Sequence, residues 1–245
     1  LKKITSEKLG IIKNTKNIII AKQKKEVNSF ILRKLKKQKN VYYFNREFNF
    51  KNINNKQFEF KSQNIKRIIR KPSLLGNHQI ENATTALMSS IILKNNNYKI
   101  KLNSLNKSIY NTKWPGRIEK VKFKNKYIIF DGSHNLSGAE KLNDYLMANK
   151  IRPIIIFGML NNKNIEGFLS KLKKNIDILY PFKIPDELNA LDKNEIFNIA
   201  TKLNIKSLLK SNLKAINSSI MKKPNKYILV TGSLYLIGKI RKNYL

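Results

Sequence analysis

The stretch Tyr127-Ile-Ile-Phe-Asp-Gly-Ser133 decides the fold, because it has the pattern of an apolar strand that ends in a polar turn containing glycine. A helical pattern follows from Ser137, and the same order of strand, glycine turn and helix returns at residues 154–157 and 227–230. Short apolar runs bounded by turn residues are typical of strands buried on both faces. Strands that alternate with helices predict a mainly parallel sheet covered by helices on both sides.

The flanking sequence extends this pattern and then changes it. Residues 176–180 predict one more strand, and Asp192 with Glu195 predicts a capping box at the start of the next helix. Towards the amino end, aromatic and β-branched residues alternate with polar ones between residues 41 and 69, which predicts short antiparallel strands. Trp114-Pro115-Gly116 lies between the two patterns. We therefore expect two domains, residues 1–112 and 113–245.

Four further elements are predicted in the first of these domains. They are a strand at 17–21, an amphipathic helix at 24–37, a helix at 80–94 and a short helix at 102–110.

Composition limits the classes of function. The chain of 245 residues has a net charge of +35, but only seven of its 50 basic residues are arginine and the lysines are scattered over every segment. Scattered lysine favours solvated faces over a nucleic-acid site, where arginine is preferred for paired contacts. Without cysteine or an apolar run of about 18 residues, the sequence predicts a cytoplasmic protein with no membrane span.

The predicted ends of the strands carry polar residues beside glycine. Asp131 and His134 stand in the turn after the first strand, and Ser233 stands in the turn after the last. Ligands of open α/β sheets bind beside these turns, where helix N-termini offer free N–H groups. The alternative is that Asp131 only caps a helix and His134 only occupies a turn.

Six strings of residues, in order, resemble the folylpolyglutamate synthase/dihydrofolate synthase family of the Mur-ligase superfamily. The strings are Glu7-Lys-Leu-Gly-Ile-Ile-Lys13, Gly76-Asn-His-Gln-Ile-Glu-Asn-Ala83, Trp114-Pro-Gly-Arg-Ile-Glu119, Asp131-Gly-Ser-His-Asn135, Phe157-Gly-Met159 and Val230-Thr-Gly-Ser-Leu-Tyr235. The resemblance implies the tail of a Mur-ligase-type central ATPase domain over residues 1–112, followed by a Rossmann-like, mainly parallel glutamate-binding domain over residues 113–245.

The activity that the resemblance implies is ATP-dependent ligation of L-glutamate to dihydropteroate, to folates or to both, through an acyl phosphate. The cofactors would be ATP and Mg²⁺, with K⁺ as a further candidate, and the enzyme would be a monomer that binds neither nucleic acid nor membrane. Two alternatives stay open at this point. One is a Mur-type ligase of peptidoglycan precursors, and the other is a basic nucleic-acid-binding protein.

The resemblance also implies roles for individual residues. Asn82, Arg117 and Asp131 would contact ATP, whereas Asp131, His134 and Ser233 would bind glutamate, with His134 taking a catalytic part. Lys8 would be carbamylated by carbon dioxide, which turns a cation into a carboxylate able to support Mg²⁺. Its amine must be unprotonated to react.

Departures from the family pattern qualify this reading. Leu9 and Ser133 stand where the family usually has alanine, and Asn164 stands where aspartate is common. The chain also lacks the phosphate-binding loop Gly-x-x-x-x-Gly-Lys-Ser/Thr, which the family carries in an earlier part of the ATPase domain. We therefore expect that the chain is truncated at its amino end and that it is inactive alone.

Overall fold

A computed structural model of the chain describes residues 1–63 and 65–245. The described chain divides into two compact units. The first unit comprises residues 1–73 and 77–112, and the second comprises residues 74–76 and 113–245. None of the described helices combines the length and the apolar character that a membrane span requires.

The first unit contains two small sheets and a long helix. Its elements are α1 (Lys2–Leu9), β1 (Ile18–Ile20), α2 (Lys25–Lys34), β2 (Val41–Tyr43), β3 (Phe48–Asn52), β4 (Gln57–Ser62), β5 (Ile65–Arg70), α3 (His78–Asn95) and α4 (Leu105–Asn111). Strands β3, β4 and β5 form an antiparallel sheet in that order. One side of α3, including Ile80, Leu87 and Ile91, shares a core with the phenylalanines of this sheet.

Strand β2 corrects one prediction. The aromatic alternation over residues 41–69 predicted antiparallel strands throughout, and this is confirmed for β3 to β5. It is wrong for β2, which pairs in parallel with β1 in the register Ile18 to Val41. Helix α2 explains the difference, because a helical crossover returns the chain to the starting side and the next strand must run in the same direction.

The second unit is a five-stranded sheet in the order β6-β7-β10-β8-β9. Its elements are β6 (Glu119–Phe123), β7 (Lys126–Asp131), α5 (Leu136–Ala148), β8 (Ile154–Phe157), α6 (Ile165–Leu172), β9 (Ile178–Pro181), α7 (Lys193–Lys202), α8 (Leu213–Met221), β10 (Tyr227–Thr231) and α9 (Leu234–Ile240). Every pairing is parallel except that of β6 with β7. The predicted mainly parallel fold is therefore confirmed, whereas the edge strand β6 and helix α8 were missed.

Both faces of this sheet are buried, as the apolar strand patterns predicted. Successive residues of β7 belong to different cores, Ile128 and Phe130 on one face and Ile129 on the other. Strand β10 behaves in the same way, with Val230 on the first face and Leu229 on the second. Since β10 lies between β7 and β8 and has a core on each face, the middle of the sheet is enclosed.

Candidate functional site

The candidate site lies at the carboxyl edge of the second unit's sheet, where β7, β10 and β8 end side by side. In the register, Thr231 is paired with Asp131 on one side and with Phe157 on the other. The three glycine-containing turns that follow these residues therefore leave the sheet next to one another. This edge is where open α/β sheets bind ligands.

Asp131 holds two of the surrounding turns in place. The residue is 4% exposed, and its two carboxylate oxygens accept hydrogen bonds from the backbone N–H of Ser133 at 3.0 Å and of Ile118 at 3.1 Å. It does not cap α5, since Asn135 does so by accepting a hydrogen bond from Gly138 N at 2.8 Å. The alternative reading of Asp131 as a helix cap is therefore wrong. Its predicted contact with nucleotide and glutamate stays a prediction.

Arg117 is presented from a tight turn beside the Asp131 turn. It is half-buried, and its Nη1 would lie 3.2 Å from a Cβ placed on Gly132, so the guanidinium lies over that glycine. Gly116 and Ile118, on either side, both have positive φ angles, +72° and +48°. Within residues 1–63 and 65–245, no acceptor takes a hydrogen bond from the Arg117 guanidinium. A half-buried cation without a partner favours an anionic ligand.

Glu119 and Arg241 form a paired contact below this turn. Nε and Nη2 of Arg241 donate to both carboxylate oxygens of Glu119, with Nε to Oε2 at 2.9 Å. Glu119 Oε2 also accepts a hydrogen bond from Gly116 N at 3.1 Å. The bonds from Arg241, helped by the Gly116 N–H, hold the pKa of Glu119 below its ordinary value although partial burial opposes the shift. Glu119 is therefore held as a carboxylate.

His134 has one ring nitrogen in a hydrogen bond, and its other ring nitrogen has no partner within residues 1–63 and 65–245. Its Nδ1 lies 3.0 Å from the carbonyl oxygen of Gly132. Because a carbonyl oxygen can only accept, Nδ1 must carry the proton of this hydrogen bond. In the neutral ring Nε2 is then an unprotonated base. The ring is half-buried and stands just before the N-terminus of α5, the positive end of that helix dipole.

Ser233 closes the third turn of the site. It is 4% exposed, and its Oγ accepts a hydrogen bond from Tyr235 N at 3.1 Å, which caps α9. Gly232 has φ +108°, and a Cβ at that position would lie 2.5 Å from the carbonyl oxygen of Gly158. Glycine is therefore required where the turns after β10 and β8 meet. Beneath them, the hydroxyl of Thr231 is buried without a hydrogen-bond partner among the described residues.

The structure places Lys8 in the first unit, on α1. Its side chain is exposed and lines a groove of about 530 Å³ whose walls include Ile4, Ile11 and Ile18. No group of three or more His, Cys, Asp or Glu residues able to hold a metal occurs among the described residues. The described surroundings of Lys8 therefore do not supply a magnesium site, and its carbamylation stays a prediction.

Asn82 also belongs to the first unit, in the second turn of α3. The residue is exposed, and its side-chain nitrogen donates to Gln79 Oε1 at 3.0 Å. Gln79 Nε2 in turn lies 2.9 Å from the ring nitrogen Nε2 of His78. This row of side chains fixes the direction of Asn82, whose predicted contact with ATP stays a prediction.

The Glu119–Arg241 pair is the feature of the site that the sequence analysis did not single out. Glu119 lies within the string that carries Arg117, but no role was assigned to it. The scarcity of arginine was the available signal. In a chain with 43 lysines, one of seven arginines occupies the position where a planar donor must meet both oxygens of a carboxylate.

The chain is similar to known proteins in both sequence and fold. A model of the dihydrofolate synthetase C-terminal domain matches residues 116–243, which is more than half of the chain.

Curated relatives match a longer part of the chain. The dihydrofolate synthase/folylpolyglutamate synthase of Bacillus subtilis (strain 168) is 30% identical over 178 residues, which cover 70% of this chain and 40% of that protein. The folylpolyglutamate synthase of Lacticaseibacillus casei is 26% identical over 174 residues, with the same coverage of each chain. The matched part of the chain thus corresponds to about 40% of the length of these relatives.

Solved structures match nearly the whole chain. The folylpolyglutamate synthase of Thermotoga maritima has a TM-score of 0.75 at 25% identity, covering 99% of this chain and 57% of that one. The structure of E. coli FolC in complex with DHPP and ADP has a TM-score of 0.82 at 21% identity, covering 99% and 56%.

Proposed function

The chain belongs to the dihydrofolate synthase/folylpolyglutamate synthase family, and from that premise we propose that it forms part of an ATP-dependent ligase joining L-glutamate to dihydropteroate or to a folate. The proposal rests on which part of the chain the family model matches. Residues 116–243 contain Arg117, Asp131, His134 and Ser233, which share one edge of the sheet. The names of the relatives include both activities, so both acceptors are kept.

The proposed reaction has two steps. The terminal phosphoryl group of ATP is transferred to the carboxylate of the pterin substrate, which gives an acyl phosphate and ADP. The amine of glutamate then attacks the carbonyl carbon, and the tetrahedral intermediate expels inorganic phosphate to leave an amide. Because the anhydride bond of ATP supplies the driving force, the protein has mainly to position the reactants and to neutralise charge.

Arg117 is proposed to neutralise charge on the nucleotide. Its planar fork matches two phosphate oxygens, and no described side chain competes for it. Arg117 as a whole is partly buried, and an ionic attraction is stronger where water is partly excluded than in bulk water. Asp131 supports this role by accepting the N–H of Ile118, the residue after Arg117.

His134 and the start of α5 are proposed to bind glutamate. The helix N-terminus attracts a carboxylate, and the free Nε2 of His134 can accept a proton from the glutamate ammonium group, which must become an amine before it attacks. The hydroxyl of Ser233 keeps its proton for donation, because its oxygen accepts from Tyr235 N.

ATP is proposed as a substrate and Mg²⁺ as the metal, with K⁺ as a further candidate. Asn82 is proposed to contact ATP and a carbamylated Lys8 to support the metal. The described residues do not form a metal cluster of their own. The residues proposed for the two chemical steps all belong to the second unit.

The two alternative functions are not favoured by the relatives. Dihydrofolate and folylpolyglutamate synthases recur among them, which argues against a peptidoglycan precursor ligase and against a basic nucleic-acid-binding protein. That the enzyme is a cytoplasmic monomer without nucleic-acid or membrane partners stays a prediction.

The proposal is tested with the protein produced from its complete reading frame. ATP, glutamate and either dihydropteroate or a folate monoglutamate are supplied, and phosphate release is measured beside mass spectrometry of the pterin product. We expect release that requires both glutamate and the pterin, and a product heavier by one glutamyl residue. Arg117→Gln should lower kcat/KM for ATP by about a hundredfold.

Two controls decide how the outcome is interpreted. Arg152→Gln removes a different arginine of the second unit, whose Nε donates to Ile176 O, and should leave kcat/KM for ATP within about twofold. Turnover in Arg117→Gln equal to that of the wild type would remove the nucleotide role of Arg117. Absence of any glutamylated pterin would refute the proposed function.

A further inference from the structure

The turn that presents Arg117 is held by backbone hydrogen bonds on both sides. Gly116 N donates to Glu119 Oε2 at 3.1 Å, and Ile118 N donates to Asp131 Oδ2 at 3.1 Å. The carbonyl oxygen of Gly116 accepts from Gly132 N at 2.8 Å. The peptide groups before and after Arg117 are thus fixed by groups outside the turn, so the fold sets the direction in which the Cα–Cβ bond of Arg117 leaves the backbone.

The conformation of this turn needs such support. Ile118 has φ +48°, in the left-handed region that a β-branched residue rarely adopts. Its side chain is 2% exposed and belongs to the core on one face of the sheet. A strained backbone persists only where the surrounding contacts hold it, and such strain is concentrated at functional sites.

Glu119 can hold Gly116 N only if its own carboxylate has a fixed direction, and Arg241 provides that direction. Both oxygens of Glu119 accept from Arg241, which lies 122 residues further along the chain in the short 3₁₀ turn after α9. Side-chain exposures of 20% for Glu119 and 30% for Arg241 shield the pair in part from water. Glu119 is paired with Arg241, and no carboxylate among the described residues forms an ion pair with Arg117.

We propose that Glu119, oriented by Arg241, is a positioning residue that holds the Arg117 turn so that the unpaired guanidinium lies over Gly132, ready for a nucleotide phosphate. Glu119 and Arg241 touch no substrate in this role. The proposal rests on the proposed function in one respect, namely that Arg117 contacts the nucleotide.

A double-mutant cycle with the complete reading-frame protein tests it. The four proteins are the wild type, Glu119→Gln, Arg117→Gln and the double variant, and the readouts are kcat/KM for ATP and KM for glutamate. Glutamine keeps an oxygen for Gly116 N but loses the charge that orients it. We expect Glu119→Gln to lower kcat/KM for ATP by about tenfold while KM for glutamate changes less than about twofold.

The cycle also predicts that Glu119→Gln has almost no further effect once Arg117 is absent, because its effect is transmitted through that side chain. Arg241→Lys retains the positive charge but lacks the planar fork, so its kcat/KM for ATP should lie between those of the wild type and Glu119→Gln. Asp186→Asn is the matched control. It removes the charge of Asp186, which forms an exposed ion pair at 2.8 Å with Lys239 of α9, and it should leave kcat/KM for ATP and KM for glutamate unchanged.

The same four proteins titrated with ADP, with urea unfolding to confirm that each is folded, separate the possible outcomes. Equal losses from Glu119→Gln with and without Arg117, or parallel changes for ATP and glutamate, would show a merely structural role. A wild type that ligates while Arg117→Gln is unimpaired overturns the nucleotide role of Arg117 and this inference with it. If the wild type does not ligate but binds ADP, and the effects of Glu119→Gln and Arg117→Gln on ADP affinity are coupled, only the ligase function is refuted. If the wild type does not bind ADP, both the ligase function and the positioning role of Glu119 are overturned.

Discussion

The two units hold their candidate residues in different ways. In the second unit, Asp131 and Ser233 are almost fully buried, and each accepts at least one backbone hydrogen bond. In the first unit, Lys8 projects from a short helix and is exposed beside an open groove. The difference teaches that the second unit has its part of the site preorganised, which is the condition for precise positioning.

Burial of the sheets explains the contrast. The five-stranded sheet of the second unit has a core on each face, as parallel strands generally require. The parallel pair β1 and β2 of the first unit has one face on a core of five buried residues among those described, and its Ile19 and Tyr42 are only partly buried against the core that contains α3. Ile4 and Ile11 nearby are 59% and 81% exposed. We therefore expect substitutions in the second unit to have larger effects than their counterparts in the first.

The largest difference in stability loss between the two units is expected for replacement of a glycine by alanine. Gly232→Ala introduces a Cβ against the Gly158 carbonyl oxygen at a φ of +108°, so it should destabilise the second unit by about 4 kcal/mol. Gly10→Ala is the counterpart in the first unit, where φ is −59° and the new Cβ would lie 3.0 Å from Glu7 O. There, better helix propensity offsets the tight contact, and the change should stay within about 0.5 kcal/mol.

The measurement is urea unfolding followed by hydrogen exchange of peptides from each unit, which reports the two stabilities separately. Gly238→Ala is a control within the second unit, because a Cβ there meets nothing within 4 Å. Equal effects of Gly232→Ala and Gly10→Ala would show that the close approach of the two turns is not a constraint.

Sequence reasoning succeeded where local pattern and burial agree. The apolar run of β7, followed by Asp-Gly-Ser, predicted a buried parallel strand and a ligand-binding edge. A strand buried on both faces is apolar at every position, so it stands out in the sequence as a continuous apolar run. It missed β6, whose residues alternate between exposed and half-buried at the edge of the sheet. It also assigned the wrong direction to β2, because strand direction depends on the crossover rather than on the strand's own residues.

The candidate site, like the fold, could be predicted only where a local pattern in the sequence marks it. Arg117, Asp131, His134 and Ser233 were predicted from strings that resemble the family, and the structure places these strings at one edge of the sheet. Their roles stay predictions. The pairing of Glu119 with Arg241 joins residues 122 apart, and no local pattern encodes such a contact. The capping role of Asn135 is local, but Asp131 competes with it in the sequence, and only the hydrogen bonds decide between them.

A smaller difference in stability loss between the two units is expected when a buried core side chain is shortened to alanine. Leu229→Ala, in the central strand β10 at 0% exposure, should destabilise the second unit by about 3 kcal/mol because the enclosed cavity cannot collapse. Ile18→Ala, in β1 at 5% exposure, should destabilise the first unit by about 1–2 kcal/mol, since the space left is beside the groove and water can enter it. Unfolding midpoints of the two units measure this, and a larger loss at Ile18 would mean that the groove is closed in solution.

The smallest difference concerns tyrosine ionisation. Burial raises the pKa of Tyr244, in the second unit, to about 12, although its hydrogen bond to Asn217 opposes the shift. Burial also raises the pKa of Tyr43, in the first unit, but the nearby Arg46 guanidinium acts against it. A raised pKa in the folded state means that the stabilisation is complete below pH 10 and is lost as the pH rises towards 12, because the unfolded chain releases its proton first.

Between pH 9 and pH 12 the stability of the second unit should therefore fall by about 2 kcal/mol through Tyr244 alone. The many lysines also titrate in this range, so the informative quantity is the difference between the wild type and Tyr244→Phe, in which their contribution cancels. Tyr244→Phe should make the unfolding free energy of the second unit less dependent on pH, whereas Tyr43→Phe should change that of the first unit by a smaller amount. Parallel curves for Tyr244→Phe and the wild type would mean that the phenol is hydrated in solution, and the second unit would then be less tightly enclosed than the comparison between the units requires.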